Sequence, residues 1–337
     1  MADVLQVEHL SAVFDTPQGT VQAVRDVSFT VAEGEVLAIV GESGCGKSAL
    51  CRAVMGLLPR NGRITAGRIV AGGQDITGYT ERQLCALRGD FFSMILQDPM
   101  TALDPTMTVG AQIAEAVRLR DPQAKKARVT RRVEELLTLV GIYRPEIRAR
   151  QYPHQFSGGM RQRAALAIAL AGEPKVLFAD EPTTALDVTM QAQILALLQD
   201  VQRRLSMATV FVTHDLGVVA RIAHRVAVMY AGKIVEIGTA EEIFHDPRHP
   251  YTWALLRCLP SLHRGEETLP CAAGMPPSLI HPPKGDAFAR RSEYALAIDY
   301  EEEPPLFRIS DTHYAATWLL HPDAPKVVRE GGVRHDG

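Results

Sequence analysis

The sequence predicts an α/β domain that carries a helical insertion and is followed by a C-terminal extension. Short runs rich in β-branched residues open the chain, a glycine-rich loop connects an apolar run to a helix, and two later apolar runs end in polar or charged residues. Such endings are expected where parallel strands finish. We predict one domain over residues 1–245, with the helical insertion at about 98–172, and an extension over residues 246–337.

The first part of the chain supplies a strand, a loop and a helix. Residues 4–10, 27–31 and 36–40 are predicted strands, because they are rich in apolar and β-branched residues and are separated by Pro and Gly. The unbranched, mostly apolar residues 48–58 predict a buried helix. A strand, a loop and a helix in this order present backbone N–H groups to a phosphate.

The rest of the chain continues the α/β pattern and then loses it. Residues 109–170 have helical periodicity, and residues 176–179 and 209–213 are predicted to be parallel strands. The basic stretch 125–132 is interpreted as a solvated face. From about Phe244 the composition shifts toward Pro, His and Arg, which predicts an appended region without long helices or strands.

Composition and charge exclude several classes of partner. The 337 residues are 46% hydrophobic, and 36 basic against 39 acidic residues give a net charge of −3. This balance creates no overall field toward nucleic acid, so we expect no nucleic-acid partner. The five cysteines have no framework spacing and the N-terminus has no export segment, which predicts a cytosolic protein. No run approaches the roughly 20 apolar residues of a membrane span, so other subunits would hold the protein at any membrane.

Residues 41–48, GESGCGKS, match the phosphate-loop pattern G-x-x-x-x-G-K-[ST] between a strand and a helix, the context that this pattern requires. Glycines let the backbone approach the α- and β-phosphates of a nucleotide, and the helix start adds its positive dipole end. Lys47 is predicted to reach the β- and γ-phosphates, and Ser48 to bind Mg²⁺. The predicted ATP-binding residues of this phosphate loop are Gly41, Glu42, Ser43, Gly44, Cys45, Gly46, Lys47, Ser48 and Ala49.

A later apolar strand ends in two adjacent carboxylates, Asp180 and Glu181. Adjacent residues at a strand end point in different directions, so one carboxylate can serve a metal and the other a water molecule. We predict that Asp180 binds Mg²⁺ and that Glu181 accepts a proton from the water that attacks the γ-phosphorus. Alone, the pair could equally be a solvated strand end. Together with the phosphate loop it indicates a P-loop ATPase or kinase.

Residues 156–163, FSGGMRQR, precede the helical stretch AALAIALA and resemble the signature of ABC ATPases. As a bare helix cap the motif would be unspecific. Ser157, Gly158 and Gly159 would expose N–H groups at a helix N-terminus, which makes a second phosphate site besides the phosphate loop. In the ABC family this site serves the nucleotide of the facing subunit. Met160 stands where the commonest signature has Gln, a change that removes no backbone donor.

The resemblance covers about 230 residues with the ABC motifs in the family's order. It implies a RecA-like P-loop ABC ATPase core with an antiparallel β subdomain and a helical subdomain. Gln97 would contact Mg²⁺ or the attacking water and couple to the membrane subunit, and His214 would donate to the γ-phosphate and sense its loss. Asp187 would lie in a loop at the dimer interface, and Phe14 would stack on adenine unless it is a core residue of the first sheet. The implied catalytic residues are Glu181, His214, Gln97 and Lys47, and the implied Mg²⁺ ligands are Ser48, Gln97 and Asp180.

The C-terminal extension narrows the implied function. The segment HPYT at residues 249–252 resembles the corresponding part of ATPases from oligopeptide, dipeptide and nickel importers. Residues 298–305 and 311–322 are similar to one branch of oligopeptide-importer ATPases. The resemblance therefore implies an ATP-hydrolysing subunit that powers oligopeptide import by ATP-driven dimer closure. Selection of the solute is left to other subunits, since nothing in an ATP site reads a peptide.

The same resemblance implies partners and a location. We expect a second, related but distinct ABC ATPase, two membrane permeases and, indirectly, a peptide-binding protein, with the chain peripheral at the cytoplasmic face of the cell membrane. Both halves of a composite ATP site are intact here, so a homodimer stays open. A dipeptide or nickel importer ATPase, a soluble ABC ATPase of translation or repair, and a P-loop kinase are the alternatives. A soluble ABC protein would usually have two fused ATPase halves or a coiled-coil insertion, and a kinase would lack the signature and His214.

ATP and Mg²⁺ are the expected cofactors, and no iron–sulfur cluster is expected. Some relatives in the peptide-importer group hold such a cluster with four cysteines in this extension, because thiolates are its usual ligands. The positions that match those cysteines carry Asp286, Ser292, Asp299 and Thr317, and no cysteine follows Cys271.

Overall fold

The computed structural model describes residues 3–96, 102–184, 187–258 and 274–327. These residues form two β-sheets with helices packed against them. The elements follow one another along the chain as β1 (Asp3–Thr16), β2 (Gly19–Ala32), β3 (Val36–Val40), α1 (Lys47–Val54), β4 (Gly62–Ala71), β5 (Gln74–Asp75), α2 (Glu81–Leu87), β6 (Phe92–Ile95), α3 (Val109–Arg120), α4 (Lys126–Leu139), α5 (Pro145–Arg148), α6 (Gly158–Leu170), β7 (Val176–Asp180), α7 (Val188–Leu205), β8 (Ala208–Thr213), α8 (Leu216–Ile222), β9 (Arg225–Tyr230), β10 (Lys233–Thr239), α9 (Ala240–His245), α10 (Pro250–Arg257), β11 (Phe307–Arg308) and β12 (Tyr314–Ala315).

The larger sheet has eight strands in the order β11-β12-β10-β9-β3-β8-β7-β6. The strands from β6 to β9 in this order are parallel, and β10, β12 and β11 are added antiparallel at one edge. β3, β7 and β8 are buried along their whole length, which explains their nearly continuous apolar sequences. The strands predicted at 36–40, 176–179 and 209–213 are thereby confirmed. Because the three strands are parallel, the residues that follow them lie at the same edge of the sheet.

The smaller sheet is antiparallel, with strand order β2-β1-β4-β5. The strands predicted at 4–10 and 27–31 are confirmed but are too short, because β1 and β2 each continue to form a long hairpin. Their outer ends alternate exposed and half-buried residues, and such strands lack the continuous apolar runs that mark a buried strand. The inner face shares one hydrophobic core with α1 and the larger sheet, in which Leu5, Leu50 and Phe178 are fully buried.

Helix α1 begins at Lys47 and ends at Val54, so the helix predicted over 48–58 is too long. Gly56 adopts a left-handed conformation with φ 64°, which is typical of the residue that follows a helix C-terminus. A Cβ at Gly56 would lie 2.5 Å from Cδ1 of Leu84, so glycine lets α2 pack closely against the end of α1. The apolar Leu57 and Leu58 misled the prediction, because apolar periodicity alone does not show where a helix stops.

The helical subdomain contains α3, α4, α5 and α6, which confirms the helical periodicity of residues 109–170. Its core includes the buried Ile113, Leu136 and Ala167 from three different helices. Residues 125–132 are mostly exposed, as expected for a solvated face, and only Val129 among them is buried. None of the helices in the described ranges is long and apolar enough to cross a membrane.

The extension is attached to the larger sheet by strand pairing, by a buried Glu–His contact and by ion pairs. β12 pairs with β10, and His313 Nε2 lies 2.8 Å from Oε1 of the fully buried Glu236 on β10. Glu303 forms ion pairs with both Arg25 and Lys233 of the preceding domain. The strands of the extension have two residues each and α10 has eight, as the Pro-rich composition predicts. The boundary predicted at 245/246 falls between α9 and α10 and stays a prediction.

Candidate nucleotide site

The phosphate loop lies between β3 and α1, and its backbone requires glycine at three positions. Gly41, Gly44 and Gly46 have φ values of 155°, 80° and 106°, which other residues rarely adopt. A Cβ at Gly41 would lie 2.1 Å from the Met229 carbonyl oxygen, and a Cβ at Gly46 would lie 2.1 Å from the Ala23 carbonyl oxygen. Both glycines therefore allow the loop to pack closely against neighbouring backbone.

Lys47 is buried, with 5% of its surface exposed, although it carries a positive charge. Its Nζ donates hydrogen bonds to the carbonyl oxygens of Gly41 at 2.8 Å and Glu42 at 2.9 Å. The ammonium group is thus held inside the loop by two of the loop's own peptides. A buried cation beside closely approaching backbone N–H groups is a suitable site for phosphate oxygens.

Ser48 and Asp180 form a pair of oxygen donors next to this loop. The Ser48 hydroxyl donates to Oδ1 of Asp180 at 2.8 Å, and Asp180 is 1% exposed. Burial raises the pKa of Asp180, and the hydrogen bond from Ser48 opposes that rise. A hydroxyl and a carboxylate at this separation are the hard oxygen ligands that Mg²⁺ prefers, so the residues present fit this ion.

Glu181 lies immediately beyond β7 and connects the ends of two strands. Its φ of 47° is left-handed, and its backbone N–H donates to the Val212 carbonyl oxygen at 2.9 Å. One carboxylate oxygen accepts a hydrogen bond from the Thr184 hydroxyl at 2.9 Å, and the other lies 3.3 Å from Nδ1 of His214. The structure therefore brings Glu181 and His214 together, as expected from the parallel strands β7 and β8.

The signature segment, residues 157–160, begins α6 as expected. Ser157 is the N-cap residue and its hydroxyl accepts a hydrogen bond from the Met160 N–H at 3.3 Å. Ser157 and Gly158 are exposed, whereas Gly159 is buried against Met190. Among the described residues, no hydrogen bond or ion pair joins this segment to the phosphate loop. Exposed N–H groups at the start of a helix remain available to an anion from another molecule.

Three predicted site residues remain, namely Asp187, Phe14 and Gln97. Asp187 is the N-cap of α7, where its carboxylate accepts a hydrogen bond from the Met190 N–H at 2.9 Å. Phe14 on β1 is partly buried against Gly62, which leaves both of its predicted roles open. Gln97 lies outside the described residues.

The structure also adds contacts that the sequence did not predict. Thr184, two residues beyond Pro182, binds the carboxylate of Glu181. Arg291 and Tyr251 of the extension both contact Glu42 in the phosphate loop. Tyr251 belongs to the HPYT segment, which indicated a family without indicating a contact. No sequence pattern indicated the contact of Arg291 with Glu42, because the two residues are 249 positions apart in the chain.

Comparison with known proteins assigns the fold and the motifs to a family. The ABC transporter family matches residues 24–184, and the C-terminal region of oligopeptide/dipeptide transporters matches residues 235–298. The oligopeptide transport ATP-binding protein OppD of Bacillus subtilis is 56% identical over 98% of this chain and 93% of its own length. This chain belongs to the ABC transporter family of oligopeptide/dipeptide ATP-binding proteins. The dipeptide transport ATP-binding protein DppD of Lactococcus lactis is 53% identical over 98% of this chain and 95% of its own length.

Solved structures support the same assignment. A post-hydrolysis dimer of an ATP-binding cassette bound to ADP and Pi aligns with a TM-score of 0.63 and 26% identity, over 70% of this chain and 98% of that chain. The predicted RecA-like ABC ATPase core, with its antiparallel β subdomain and helical subdomain, is confirmed. This ABC protein binds and hydrolyses ATP. The P-loop kinase alternative is therefore wrong.

Proposed function

We propose that this ABC ATPase powers the import of oligopeptides through a membrane transporter. The convergence of Lys47, Asp180, Glu181 and His214 at the ends of β3, β7 and β8 supports the ATP-hydrolysing part of this proposal. The similarity to oligopeptide and dipeptide transport proteins supports the transported solute. Charges of both signs at one sheet edge supply what hydrolysis of a phosphoanhydride needs, namely phosphate binding and activation of water.

Each of these side chains has a distinct proposed role in hydrolysis. Glu181 accepts the proton of the attacking water, and the Thr184 hydroxyl fixes the orientation of its carboxylate. Lys47 binds the β- and γ-phosphates by exchanging its contacts with the loop carbonyls for phosphate oxygens. His214, which is exposed on one side and close to Glu181 on the other, donates to the γ-phosphate and responds to its loss.

Ser48 and Asp180 are the proposed protein ligands of Mg²⁺, together with Gln97. When bound, the ion neutralises charge on the β- and γ-phosphate oxygens. The Ser48 hydroxyl keeps the buried Asp180 carboxylate oriented toward the phosphate loop in this structure. Phe14 is the proposed stacking partner of the adenine ring.

The signature segment is proposed to complete the ATP site of a facing subunit. Its exposed N–H groups begin a helix of 13 residues, so they carry the positive end of the helix dipole. Asp187 is the N-cap residue of α7, the helix that follows the signature helix α6, and lies in the loop proposed for the dimer interface. We propose that the facing subunit is a related but distinct ABC ATPase.

The similarity to oligopeptide and dipeptide transport proteins supports peptides as the solute. Two membrane permeases would hold the chain at the cytoplasmic face of the cell membrane, and a peptide-binding protein would act indirectly. We propose that the working cofactors are ATP and Mg²⁺, without an iron–sulfur cluster. A dipeptide importer is the second candidate, because a dipeptide transport protein is 53% identical to this chain.

Solute-stimulated ATP hydrolysis tests this function. The chain should be purified from its native membrane with its co-purifying subunits and reconstituted into vesicles. Peptides of two residues, peptides of five residues and Ni²⁺ should then be added separately. We expect stimulation by the longer peptides, whereas stimulation by dipeptides alone would favour the second candidate. Stimulation by Ni²⁺ alone would contradict a peptide importer.

A mixing experiment tests the proposed heterodimer. The chain should be assembled with the permeases, first alone and then together with the second ATPase that co-purifies with it. We expect peptide-dependent ATP hydrolysis only when both ATPases are present. Full transport with this chain as the sole ATPase would contradict the heterodimer and leave the ATPase assignment intact.

A further inference from the structure

The extension contacts the phosphate loop through Glu42. The Glu42 carboxylate receives two parallel hydrogen bonds from the Arg291 guanidinium, Nη1 to Oε2 at 2.9 Å and Nη2 to Oε1 at 2.9 Å. The Arg291 side chain is 6% exposed and that of Glu42 is 27% exposed, so the pair is largely shielded from water. A bidentate pair of this kind fixes both distance and orientation.

The backbone of the same residue is held as well. The Glu42 N–H donates to the hydroxyl of Tyr251 at 2.8 Å, and Tyr251 is fully buried in α10. The extension thus fixes the side chain of Glu42 through one residue and its peptide through another. We call Glu42, Tyr251 and Arg291 the extension clamp.

Arg291 and Tyr251 of the clamp pack against the aromatic rings of Tyr230 and Phe288. Arg291 donates to the Tyr230 hydroxyl at 3.1 Å, and its guanidinium lies 5.7 Å from the Tyr230 ring centre and 5.6 Å from that of Phe288. The Tyr251 ring lies 4.4 Å from the Tyr230 ring and 5.3 Å from the Phe288 ring. Packed rings of this kind leave Arg291 and Tyr251 little freedom to follow a moving loop.

The clamped residue also contributes to the position of the catalytic lysine. The Glu42 carbonyl oxygen accepts a hydrogen bond from Lys47 Nζ, as does the adjacent Gly41 carbonyl oxygen. In addition, the Glu42 carboxylate is a negative charge within the loop that binds phosphates. Without Arg291 that charge would repel a nucleotide, because like charges at close range disfavour binding.

We propose that Arg291 is a positioning residue for ATP binding: the extension clamp holds the phosphate loop in its nucleotide-binding shape and neutralises Glu42. This proposal rests on the ATP site described under the proposed function. It gives the extension a direct part in the ATPase reaction, in addition to whatever it contributes to assembly.

A purely structural role for Arg291 gives a different expectation. The extension has other anchors, namely the pairing of β12 with β10, the buried contact of His313 with Glu236, and the ion pairs of Glu303 with Arg25 and Lys233. The Glu303 ion pairs tie the extension to the domain without touching the phosphate loop, so Glu303→Gln is a matched control.

The test is a double-mutant cycle on ATP affinity in the full chain. Equilibrium binding of ATP in the presence of Mg²⁺ should be measured by calorimetry for wild type, R291Q, E42Q and the double variant E42Q/R291Q. We expect R291Q to raise the Kd for ATP about tenfold, which corresponds to the loss of one charge-assisted hydrogen-bonded pair. In the double variant, we expect the Kd to lie between those of R291Q and wild type, because the unpaired charge is gone while the bidentate pair is still missing. E303Q should leave the Kd within about twofold.

The possible results distinguish failure of the clamp proposal from failure of the proposed function. An unchanged Kd in R291Q, an additive cycle without rescue, or an equal loss of affinity in E303Q would overturn the clamp. If R291Q fails to fold, the conservative Y251F removes only the acceptor for the Glu42 N–H and should raise the Kd in the same direction; no change in Y251F would then overturn the clamp. Failure of the wild-type chain to bind ATP would instead contradict the proposed function itself.

Discussion

Glu181→Gln separates nucleotide binding from hydrolysis, because it removes a proton acceptor and changes little else. Gln has the shape of Glu and keeps an oxygen that can accept the hydrogen bond from the Thr184 hydroxyl. The left-handed backbone at this position, with φ 47°, strains both side chains alike. The amide cannot take a proton from water at neutral pH.

We expect E181Q to change turnover much more than the stability of the fold. Loss of a general base lowers turnover by about 10² to 10⁴, which is about 3 to 5 kcal/mol of barrier. In the folded state, the substitution removes the negative charge that faces Nδ1 of His214 at 3.3 Å. The His214 side chain is 61% exposed, so water screens this pair and we expect its loss to cost about 1 kcal/mol. We therefore expect a large loss of turnover with a change in Tm of no more than about 4 °C.

Steady-state phosphate release and equilibrium ATP binding should be measured on the assembled transporter. Glu173→Gln is the matched control, since Glu173 is also left-handed with φ 52° and is also ion-paired, to Arg120 and Arg132, but lies on the surface of the helical subdomain. We expect the control to keep wild-type turnover, and E181Q to bind ATP with a Kd within about threefold of wild type. Near-normal phosphate release by E181Q would refute the role of Glu181 as the base.

Three further outcomes follow from the structure. Lys47→Ala should weaken ATP binding itself, by about tenfold or more in calorimetry, because it removes a buried charge from the phosphates; unchanged affinity would contradict this. Burial raises the pKa of Asp286 from 3.8 to about 6, so its contribution to stability is present below pH 3.8 and is lost as the pH rises through 6. Asp286→Asn, whose amide oxygen can still accept from the Phe288 N–H, should therefore gain roughly 2 kcal/mol of unfolding free energy over wild type on going from pH 4 to pH 8, and a pH-independent difference in chemical denaturation would refute this. Anaerobically purified protein should lack stoichiometric iron and sulfide, which an elemental and sulfide analysis checks.

Sequence reasoning succeeded where the signal is local. The phosphate loop and the Asp180–Glu181 pair each follow a fully buried strand, and the positions of those strands are visible in their continuous apolar residues. Parallel pairing then places His214 beside Glu181 without further information. The glycines of the loop are likewise local, because their positive φ angles belong to the loop itself.

Prediction from the sequence failed where an apolar pattern hid the end of a helix, where a strand has only two residues, and where the contacting residues are far apart in the chain. The apolar Leu57 and Leu58 extended the predicted helix too far, although α1 already ends before Gly56, whose backbone is left-handed. Strands β11 and β12 have only two residues each; β12 pairs with the edge of β10, and β11 pairs with β12. The pairing of Arg291 with Glu42 joins residues from opposite ends of the chain, and a single sequence contains no pattern that connects them.

The most direct test of the whole account is ATP-driven peptide uptake into sealed vesicles that contain this chain, its partner ATPase, the permeases and the peptide-binding protein. Accumulation of a labelled five-residue peptide should be followed with ATP and with a non-hydrolysable analogue, for the wild type and for E181Q. The account predicts accumulation only for the wild type with ATP. Accumulation that continues with the analogue, or that is unchanged in E181Q, would contradict the claim that hydrolysis at this site powers peptide import.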